Sequence, residues 1–364
     1  MKLHIEQPAL AHALKRVGKL AINSNTNTDR IAITADAEAQ TLTLRTTDLI
    51  TEMTATIPAE VNEGGSMLLP AKTMPEWVNR APESKIQIVV NGKDAVLKSG
   101  RTRATLHPIV GELPSLEAHG EAVATWTTPE KFWMPLTRRH LAVVARDETR
   151  PILRGVALTL AEKTATLAST DGSRLARTRV PLETSLSEAK TVVIPAPFMH
   201  QLADISEPIT FTSYERELKA TWEGGSLTTR LLEGEYPPVD RVFPSEYVSE
   251  FTINTAEIIG AFQRMSLLAS KDRTPSVTIS IEPGKLQLQA KAAEIGQGEE
   301  VWEVTATGQS LEMLFNPDFL LDILRTIRSE TVHIEFAGET APARFTDTSD
   351  PNAEVIALPL RKLA

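Results

Sequence analysis

The residue types that most often do chemistry are few in this chain, and their spacing matches no catalytic or metal-binding motif. The seven histidines include no pair at metal-binding spacing, and none accompanies a recognisable nucleophile motif. There is no cysteine, which excludes disulfides and thiolate metal sites, and no Walker motif for nucleotide phosphates. We therefore predict no catalytic centre, no metal site and no cofactor. The histidines are His4, His12, His107, His119, His140, His200 and His333.

An enzyme is the first alternative interpretation, because Asp171 and His140 could meet in the folded chain. Two polar residues do not by themselves make a site. We expect hydrolase substrates to give no turnover above background.

Composition favours a globular protein of two or three domains. The chain has 364 residues, of which 41% are hydrophobic and only 5% aromatic, so its cores must be mainly aliphatic. Its net charge of −9 argues against a protein that coats phosphates, although a net charge hides its distribution. The N-terminus has no apolar signal-peptide region, and no apolar run approaches membrane-spanning length. The absence of a signal peptide, of a membrane span and of cysteine fits a cytoplasmic protein.

A proline-marked segment recurs three times with similar surroundings, at intervals of roughly 120 residues. This interval is far too long for a solenoid repeat and suits a small domain. Three similar domains without a catalytic cluster indicate a scaffold. The three segments are Leu69-Pro70-Ala71-Lys72, Ile194-Pro195-Ala196-Pro197 and Phe315-Asn316-Pro317-Asp318.

Each repeat is predicted to begin with a helix. The first helix is predicted from about Pro8 to Lys19, where apolar residues recur at i, i+4 and i+7. The second is less regular, since Pro135 would kink it or delay its start. The third has Asn254 or Thr255 as its N-cap.

Strands of period two follow each of these helices, and the proline-marked segment then opens a second helix before further strands. Each repeat therefore reads as two helices against antiparallel sheet, an α+β arrangement. Boundaries near Gly120 and Ser245 give three similar domains, 1–120, 121–245 and 246–364.

The order of several short motifs along the whole chain carries a resemblance to a known family. The motifs are Thr47-Asp48-Leu49, Leu69-Pro70-Ala71-Lys72, Gly100-Arg101-Thr102-Arg103, Leu113-Pro114, Thr170-Asp171-Gly172-Ser173-Arg174-Leu175-Ala176, Val193-Ile194-Pro195, Gly234-Glu235-Tyr236-Pro237-Pro238, Phe315-Asn316-Pro317 and Leu358-Pro359-Leu360-Arg361. With these motifs in this order, the chain resembles the bacterial sliding clamp, the beta subunit of DNA polymerase III. No single motif is decisive, since Thr-Asp-Gly alone is usually a turn.

The resemblance implies the DNA clamp fold and a ring-forming head-to-tail homodimer around duplex DNA, with helices lining the hole and sheets outside. It implies no enzymatic activity and no cofactor. The ring would tether the DNA polymerase III alpha subunit and other proteins with clamp-binding motifs, and a separate clamp loader would use the ATP.

The resemblance also implies that basic side chains on the helices face DNA and contact phosphates without reading sequence. The alternative is that they are solvated helix faces. The candidates are Lys15, Arg16, Lys19, Lys72, Arg80, Arg138, Arg139, Arg146, Arg264, Lys271 and Arg273, with Arg325 and Arg328 on a further helix.

Family members bind short partner peptides in an apolar cleft, and the resemblance assigns this role to a set of residues from the second and third repeats. A cleft lined by Leu, Val and Pro can hold apolar anchors of an extended peptide. The alternative for the leucines is plain core. The residues are Leu153, Thr170, Gly172, Arg174, Leu175, Pro237, Val242, Asn316, Phe319, Leu358, Pro359, Leu360 and Arg361.

The dimer seam is expected to join the first domain of one chain to the third of the next, with Leu267 and Leu268 as apolar seam residues or, alternatively, as helix-end core. The chain departs from the family at Ser173, where His or Tyr is frequent, and at Phe319, where Tyr is common. Thr274 aligns loosely with a position that can be aromatic.

The polar segment 23–30 replaces a proline-rich stretch and is predicted to be a flexible loop. The departures allow a divergent second copy or a mobile-element clamp with a narrowed partner set. A repeat-built surface adhesin is the remaining alternative, disfavoured by the lack of a secretion signal and of cysteine.

Overall fold

The computed structural model describes residues 1–22, 29–92, 94–116, 120–269, 275–292 and 296–361. The chain divides into two compact units. Unit 1 comprises Met1–Phe132 and Asp204–Leu231, and unit 2 comprises Trp133–Ala203 and Leu232–Ala364. Both units combine helices with antiparallel sheets, so the predicted α+β class is confirmed.

The α-helices of the described residues are short and few. They are α1 (Gln7–Ile22), α2 (Thr73–Asn79), α3 (Trp133–Leu141), α4 (Ala196–Leu202), α5 (Thr255–Ala269) and α6 (Pro317–Leu324). None of them is long and apolar enough to cross a membrane.

Strands make up nearly half of the described chain. They are β1 (Lys2–Glu6), β2 (Arg30–Asp36), β3 (Thr41–Thr47), β4 (Thr51–Pro58), β5 (Glu60–Glu63), β6 (Gly65–Pro70), β7 (Lys85–Asn91), β8 (Asp94–Ser99), β9 (Thr102–Leu106), β10 (Ala124–Thr128), β11 (Gly155–Thr170), β12 (Arg174–Pro195), β13 (Ile209–Ser213), β14 (Glu217–Trp222), β15 (Gly225–Arg230), β16 (Ser249–Asn254), β17 (Val277–Glu282), β18 (Lys285–Ala292), β19 (Gly296–Glu303), β20 (Thr307–Gly308), β21 (Leu311–Phe315), β22 (Thr331–Phe336), β23 (Ala343–Asp347) and β24 (Ala353–Ala357).

Unit 1 holds two sheets, in the orders β5-β1-β7-β8-β9 and β10-β13-β14-β15-β4-β3-β2-β6. Alternation sets the register, because residues two apart share one face of a strand. Leu42 and Leu44 are fully buried on β3, and Leu44 lies opposite Ile33 on β2. The buried face of α1, with Leu10, Leu14 and Val17, supplies the apolar stripe predicted from the sequence.

Unit 2 holds two further sheets, in the orders β11-β12-β24-β23-β22-β16-β20 and β19-β18-β17-β21. One apolar core joins helices α5 and α6 to these strands. Phe262, Met265, Leu320 and Leu324 belong to this core and are almost completely buried. The core therefore fixes the position of α6 against the strands of unit 2. The candidate site described below lies in the same unit.

Helix caps follow the sequence signals. The Asn254 side chain accepts hydrogen bonds from the amides of Ala256 and Glu257, which confirms it as the cap of α5. Asn316 caps α6 in the same way, through the amide of Asp318 at 2.9 Å. Pro135 lies in the first turn of α3, where proline is tolerated, and the helix starts at Trp133.

The predicted second domain, 121–245, contributes to both compact units. Its strands β10 and β13 to β15 belong to unit 1, whereas α3, α4, β11 and β12 belong to unit 2. The predicted domain boundaries stay a prediction.

Candidate functional site

A cavity of about 300 Å³ in unit 2 gathers most of the predicted peptide-site residues. Its lining is mainly apolar, with Arg150 and Arg174 as its cations. Val242 and Leu358 are 41% and 38% exposed, so apolar surface is open to a ligand. The predicted residues that line the cavity are Leu153, Thr170, Gly172, Arg174, Leu175, Pro237, Val242 and Leu358.

The floor of this cavity is a turn between β11 and β12. The Thr170 hydroxyl donates to the Arg174 carbonyl at 2.7 Å and accepts from the Gly172 amide at 3.0 Å. The Asp171 carboxylate accepts from the amides of Ser173 and Arg174, at 2.9 and 3.0 Å. Gly172 has φ of 92°, a left-handed conformation that glycine adopts without steric penalty. The Thr-Asp-Gly sequence therefore builds a closed, rigid turn.

Unit 1 contains the same turn between β3 and β4. The Thr47 hydroxyl donates to the Thr51 carbonyl at 2.8 Å and accepts from the Leu49 amide at 3.0 Å, and the Asp48 carboxylate accepts from Ile50 and Thr51. Leu49 takes the position of Gly172, with φ of 76°. The repeat predicted from the sequence thus extends to individual hydrogen bonds.

Arg174 is a buried cation between two carboxylates. Its guanidinium donates to Asp171 at 2.9 Å and to Asp322 at 3.0 Å, and only 3% of the side chain is exposed. It also donates to the Phe319 carbonyl and lies 4.6 Å from the centre of the Phe319 ring. Because a buried charge needs such partners, Arg174 is held in one place at the cavity wall.

Arg150 lines the cavity, although no sequence motif pointed to this residue. It donates to the Asp171 carbonyl at 2.6 Å. A Cβ at Gly172 would lie 2.6 Å from its Nη1 atom, so glycine is what lets the guanidinium lie against the turn. Pro238, Val239 and Ile356 were also missed. Pro238 ends the Tyr-Pro-Pro motif, Val239 follows it, and Ile356 is two residues before Leu358, so proximity in sequence could have found these three.

Tyr236 fixes the proline segment to the turn. Its hydroxyl accepts from the Thr170 amide at 3.0 Å. Burial raises the pKa of Tyr236 far above its usual value, so the phenol stays neutral. Pro237 and Pro238, which follow it, are thereby placed at the cavity rim.

Five predicted peptide-site residues lie outside the cavity lining. Asn316 caps α6, and Phe319 packs behind Arg174. The Leu360 amide donates to the Leu314 carbonyl at 2.6 Å, which ties the tail to β21. Pro359 is half-buried and Arg361 is exposed beside it. The helix cap alone explains why asparagine occupies position 316.

The predicted DNA-facing cations mostly form ion pairs with nearby carboxylates. On α1, Lys15 is exposed, whereas Arg16 pairs with Glu207 and Lys19 pairs with Asp204. The other pairs are Arg80 with Glu76, Arg146 with Asp322, and Arg264 with Glu300. Lys72 and Arg138 are exposed, and Arg138 donates to the Arg325 carbonyl. Lys271 and Arg273 lie outside the described residues, as do Thr274 and residues 23–28.

The prediction for Arg139 is wrong. Only 2% of its side chain is exposed, and it donates to Asp350 at 3.0 Å. Adjacent helix residues point about 100° apart, so the exposure of Arg138 places Arg139 toward the interior. A buried and neutralised guanidinium does not face DNA.

His140 is buried next to Arg139 and offers no acid–base site. Its Nδ1 lies 2.8 Å from the Ser169 hydroxyl and its Nε2 lies 3.1 Å from the Thr178 hydroxyl. Burial, with a smaller contribution from the Arg139 charge, lowers the pKa of His140 to about 3. Asp171 is engaged with Arg174 instead. An enzyme of the kind considered above would need Asp171 to contact His140. The hydrogen bonds of these two residues go to other partners.

The two predicted seam leucines on α5 differ. Leu267 is 74% exposed. Leu268 is half-buried, packs against the core and lies directly over Gly298 on β19. Leu267 therefore offers apolar surface, and Leu268 is largely a core residue.

Glu250, His333 and Glu335 bring three possible metal-ligand atoms within 4.8 Å of one another. The sequence indicated no metal site here. Glu250 lies far from the other two residues along the chain and meets them only through the pairing of β16 with β22. This cluster on β16 and β22 is separate from the cavity lining.

Family models of the DNA polymerase III beta subunit match the chain in three consecutive segments. The N-terminal domain model matches residues 1–116, the central domain model 130–238 and the C-terminal domain model 240–361. The beta sliding clamps of Chlamydia muridarum and Streptomyces coelicolor are 27% and 28% identical to it. The first alignment covers 96% of each sequence, and the second covers 97% of this chain and 96% of its relative.

Solved structures with the same fold include the DNA polymerase sliding clamp from Bacillus subtilis, at 25% identity and a TM-score of 0.89. The beta subunit from DNA polymerase of Streptococcus pyogenes superposes with a TM-score of 0.91 at 23% identity. Both matches cover 100% of each chain.

Proposed function

Because the chain belongs to the DNA polymerase III beta subunit family, we propose that it is a sliding clamp that encircles duplex DNA and tethers the replicative polymerase. The clamp is a non-catalytic processivity factor. The observation that carries the proposal is the apolar cavity in unit 2, which gathers most of the residues that the resemblance assigns to partner binding. A clamp works on the chromosome, so the proposal places it in the cytoplasm.

The cavity is proposed as the docking site for partner peptides. Its apolar walls suit the anchors of an extended peptide, and the exposed Arg150 at the wall can meet carbonyl or carboxylate groups, whereas the buried Arg174 holds the wall in place. The partners we propose are the polymerase alpha subunit, the clamp loader and other proteins with clamp-binding motifs. One shared cavity would make these partners compete.

The proposed DNA contacts come from the helices. Lys15 on α1 and Arg138 on α3 are the most exposed of the predicted cations on these two helices. Arg16, Lys19 and Arg264 each pair with a carboxylate and so add less attraction than their number implies. Arg146 is 78% exposed and shares Asp322 with Arg174, so it keeps more of its charge. A weak, sequence-independent attraction suits a ring that must slide.

The proposed head-to-tail seam joins two sheet edges of opposite charge. β9 is the edge strand of a sheet of unit 1. Arg103 lies on this strand and Arg101 directly precedes it, and both side chains are exposed. β19 ends a sheet of unit 2 and carries exposed Glu299 and Glu303. Unpaired edges readily add a further strand. We propose that β9 of one copy meets β19 of the next, which closes a ring of two copies.

Leu267 is the proposed apolar contact of this seam. A cavity of about 430 Å³ lies beside α2 and the start of β9, lined by Trp77 and the aliphatic stems of its neighbours. Leu267 of one copy would pack over Trp77 of the next. Lys72 and Arg80 line the same cavity, so they are assigned to the seam rather than to DNA.

Primer extension on a singly primed circular template, with the polymerase and loader of the same organism, tests tethering. Val242→Asp with Leu358→Asp should shorten the products to the length made without clamp. Both side chains are partly exposed, so the fold should be kept. Val110→Asp with Val123→Asp is the matched control, since both positions are exposed and outside the cavity. Long products from the cavity variant, or short products from the control, would contradict the proposal.

A further inference from the structure

The paired strands β16 and β22 bring three potential metal ligands, two carboxylates and one imidazole, to one sheet face. Glu250 on β16 lies opposite Glu335 on β22, and His333 is two residues before Glu335 and so shares its face. The His333 Nε2 atom is 3.5 Å from a Glu250 oxygen and 3.9 Å from a Glu335 oxygen. Both carboxylates thus converge on one ring nitrogen.

Each of the three side chains is oriented by another group. The other His333 nitrogen, Nδ1, lies 3.0 Å from the Thr252 hydroxyl. With Nδ1–H as the donor, Nε2 keeps its lone pair and directs it at the two carboxylates. Arg344 donates twice to Glu335, at 2.5 and 2.6 Å, and the Thr307 hydroxyl donates to Glu250 at 3.3 Å. Such outer hydrogen bonds are the usual supports of metal ligands.

We propose that Glu250, His333 and Glu335 bind a divalent transition-metal ion, with Zn²⁺ as the best match and water as the fourth ligand. Zn–N and Zn–O bonds of about 2.0–2.1 Å in a tetrahedron put neighbouring ligand atoms about 3.3 Å apart. The two separations from Nε2 exceed that value by about 0.2 and 0.6 Å, and all three ligand atoms lie within 4.8 Å of one another. Rotation of the partly exposed Glu250 and His333 side chains toward the fixed Glu335 would complete the site. An imidazole with two carboxylates selects zinc-like ions over Mg²⁺, which prefers oxygen ligands.

The charge around the site permits a cation despite Arg344. The two carboxylates of the site, on Glu250 and Glu335, outnumber the one guanidinium of Arg344. Arg344 also donates to Glu354 at 2.9 Å, and Glu354 in turn accepts from Arg177 at 2.6 Å. Arg344 lowers the affinity but fixes Glu335. Glu250 is 49% exposed and His333 31%, so an ion can enter from solvent. Binding would link β16 to β22 and stabilise unit 2 by mass action. The site does not depend on the proposed clamp function.

Titration of the metal-free full chain with Co²⁺ tests the proposal, since tetrahedral Co²⁺ absorbs in the visible and Zn²⁺ should displace it. We expect one ion per chain and no displacement by Mg²⁺. His333→Gln and Glu250→Gln should each weaken binding at least tenfold. Glu250 is exposed, so its variant should keep the fold, which circular dichroism of the metal-free protein checks.

His107→Gln is the matched control, because His107 pairs with a single carboxylate, Asp94, at 2.8 Å. This variant should bind Co²⁺ as the unchanged chain does. A wild-type chain without Zn²⁺-displaceable visible absorption would overturn the proposal. Equal binding by wild type, His333→Gln and Glu250→Gln would overturn it as well.

Discussion

Replacing Gly172 by alanine should distinguish two roles of this residue: its contribution to peptide binding in the cavity and its contribution to the stability of the turn beneath it. The turn accepts a side chain in unit 1, where Leu49 has nearly the same φ. A left-handed non-glycine residue destabilises the fold by about 1–2 kcal/mol. At Gly172 the new Cβ would also lie 2.6 Å from Arg150 Nη1 and would force that guanidinium off the Asp171 carbonyl.

The expected effect on binding follows from the displaced Arg150. In the proposed site the Arg150 guanidinium also donates to the peptide, and a displaced guanidinium loses that contact. One such hydrogen bond contributes about 1–1.5 kcal/mol, so a labelled peptide carrying the clamp-binding motif of the alpha subunit should bind roughly tenfold more weakly. Fluorescence anisotropy measures the affinity, and chemical denaturation measures the stability. The same substitution should leave the four hydrogen bonds of the turn in place.

Gly284→Ala is the matched control for this experiment. Gly284 has φ of 81°, lies in the turn between β17 and β18, and has open space where a Cβ would stand. It should lose about as much stability as Gly172→Ala and keep full peptide affinity. If the two variants bound the peptide equally well, the assignment of Arg150 and Gly172 to the site would be refuted.

Two further predictions concern the seam and a buried histidine. Leu267→Asp should convert the dimer to monomers in native mass measurements, whereas Val110→Asp, at a 97% exposed position, should not; a dimeric Leu267→Asp variant would remove this residue from the seam. His140, whose pKa is lowered to about 3, should make stability fall in acid, because the unfolded chain takes up a proton near pH 6.5 and the folded chain does not. The loss between pH 6.5 and 5 should be about 2 kcal/mol, and His140→Gln should show a shallower slope; equal slopes would contradict the assignment.

Most of the fold could be predicted from short-range sequence patterns. The Asn254 cap, the period-two strands and the Thr170-Asp171-Gly172 turn all depend on residues within a few positions of one another. Such local hydrogen bonds are readable from sequence. The repeated turns at Thr47 and Thr170 show how far the internal repetition extends.

The errors came from contacts between distant parts of the chain. Arg139 is buried and its partner Asp350 is 211 residues away, so no local signal separated it from the exposed cations assigned to DNA. Arg150 was missed because its place against Gly172 depends on the fold. The Glu250 cluster was missed because cross-strand register, unlike spacing along the chain, brings its members together. Counting cations also overstated the positive charge, since the carboxylate partners of Arg16, Lys19 and Arg264 lie on other elements.

Encirclement of DNA is tested most directly on circles that are later cut. The protein is loaded onto nicked circular DNA, washed at high salt, and then exposed to a restriction enzyme that linearises the circle. A closed ring should survive the wash, because its retention does not depend on ion pairs that salt screens, and should be released when ends appear. Retention on the linear product, or loss from the intact circle at high salt, would contradict the account.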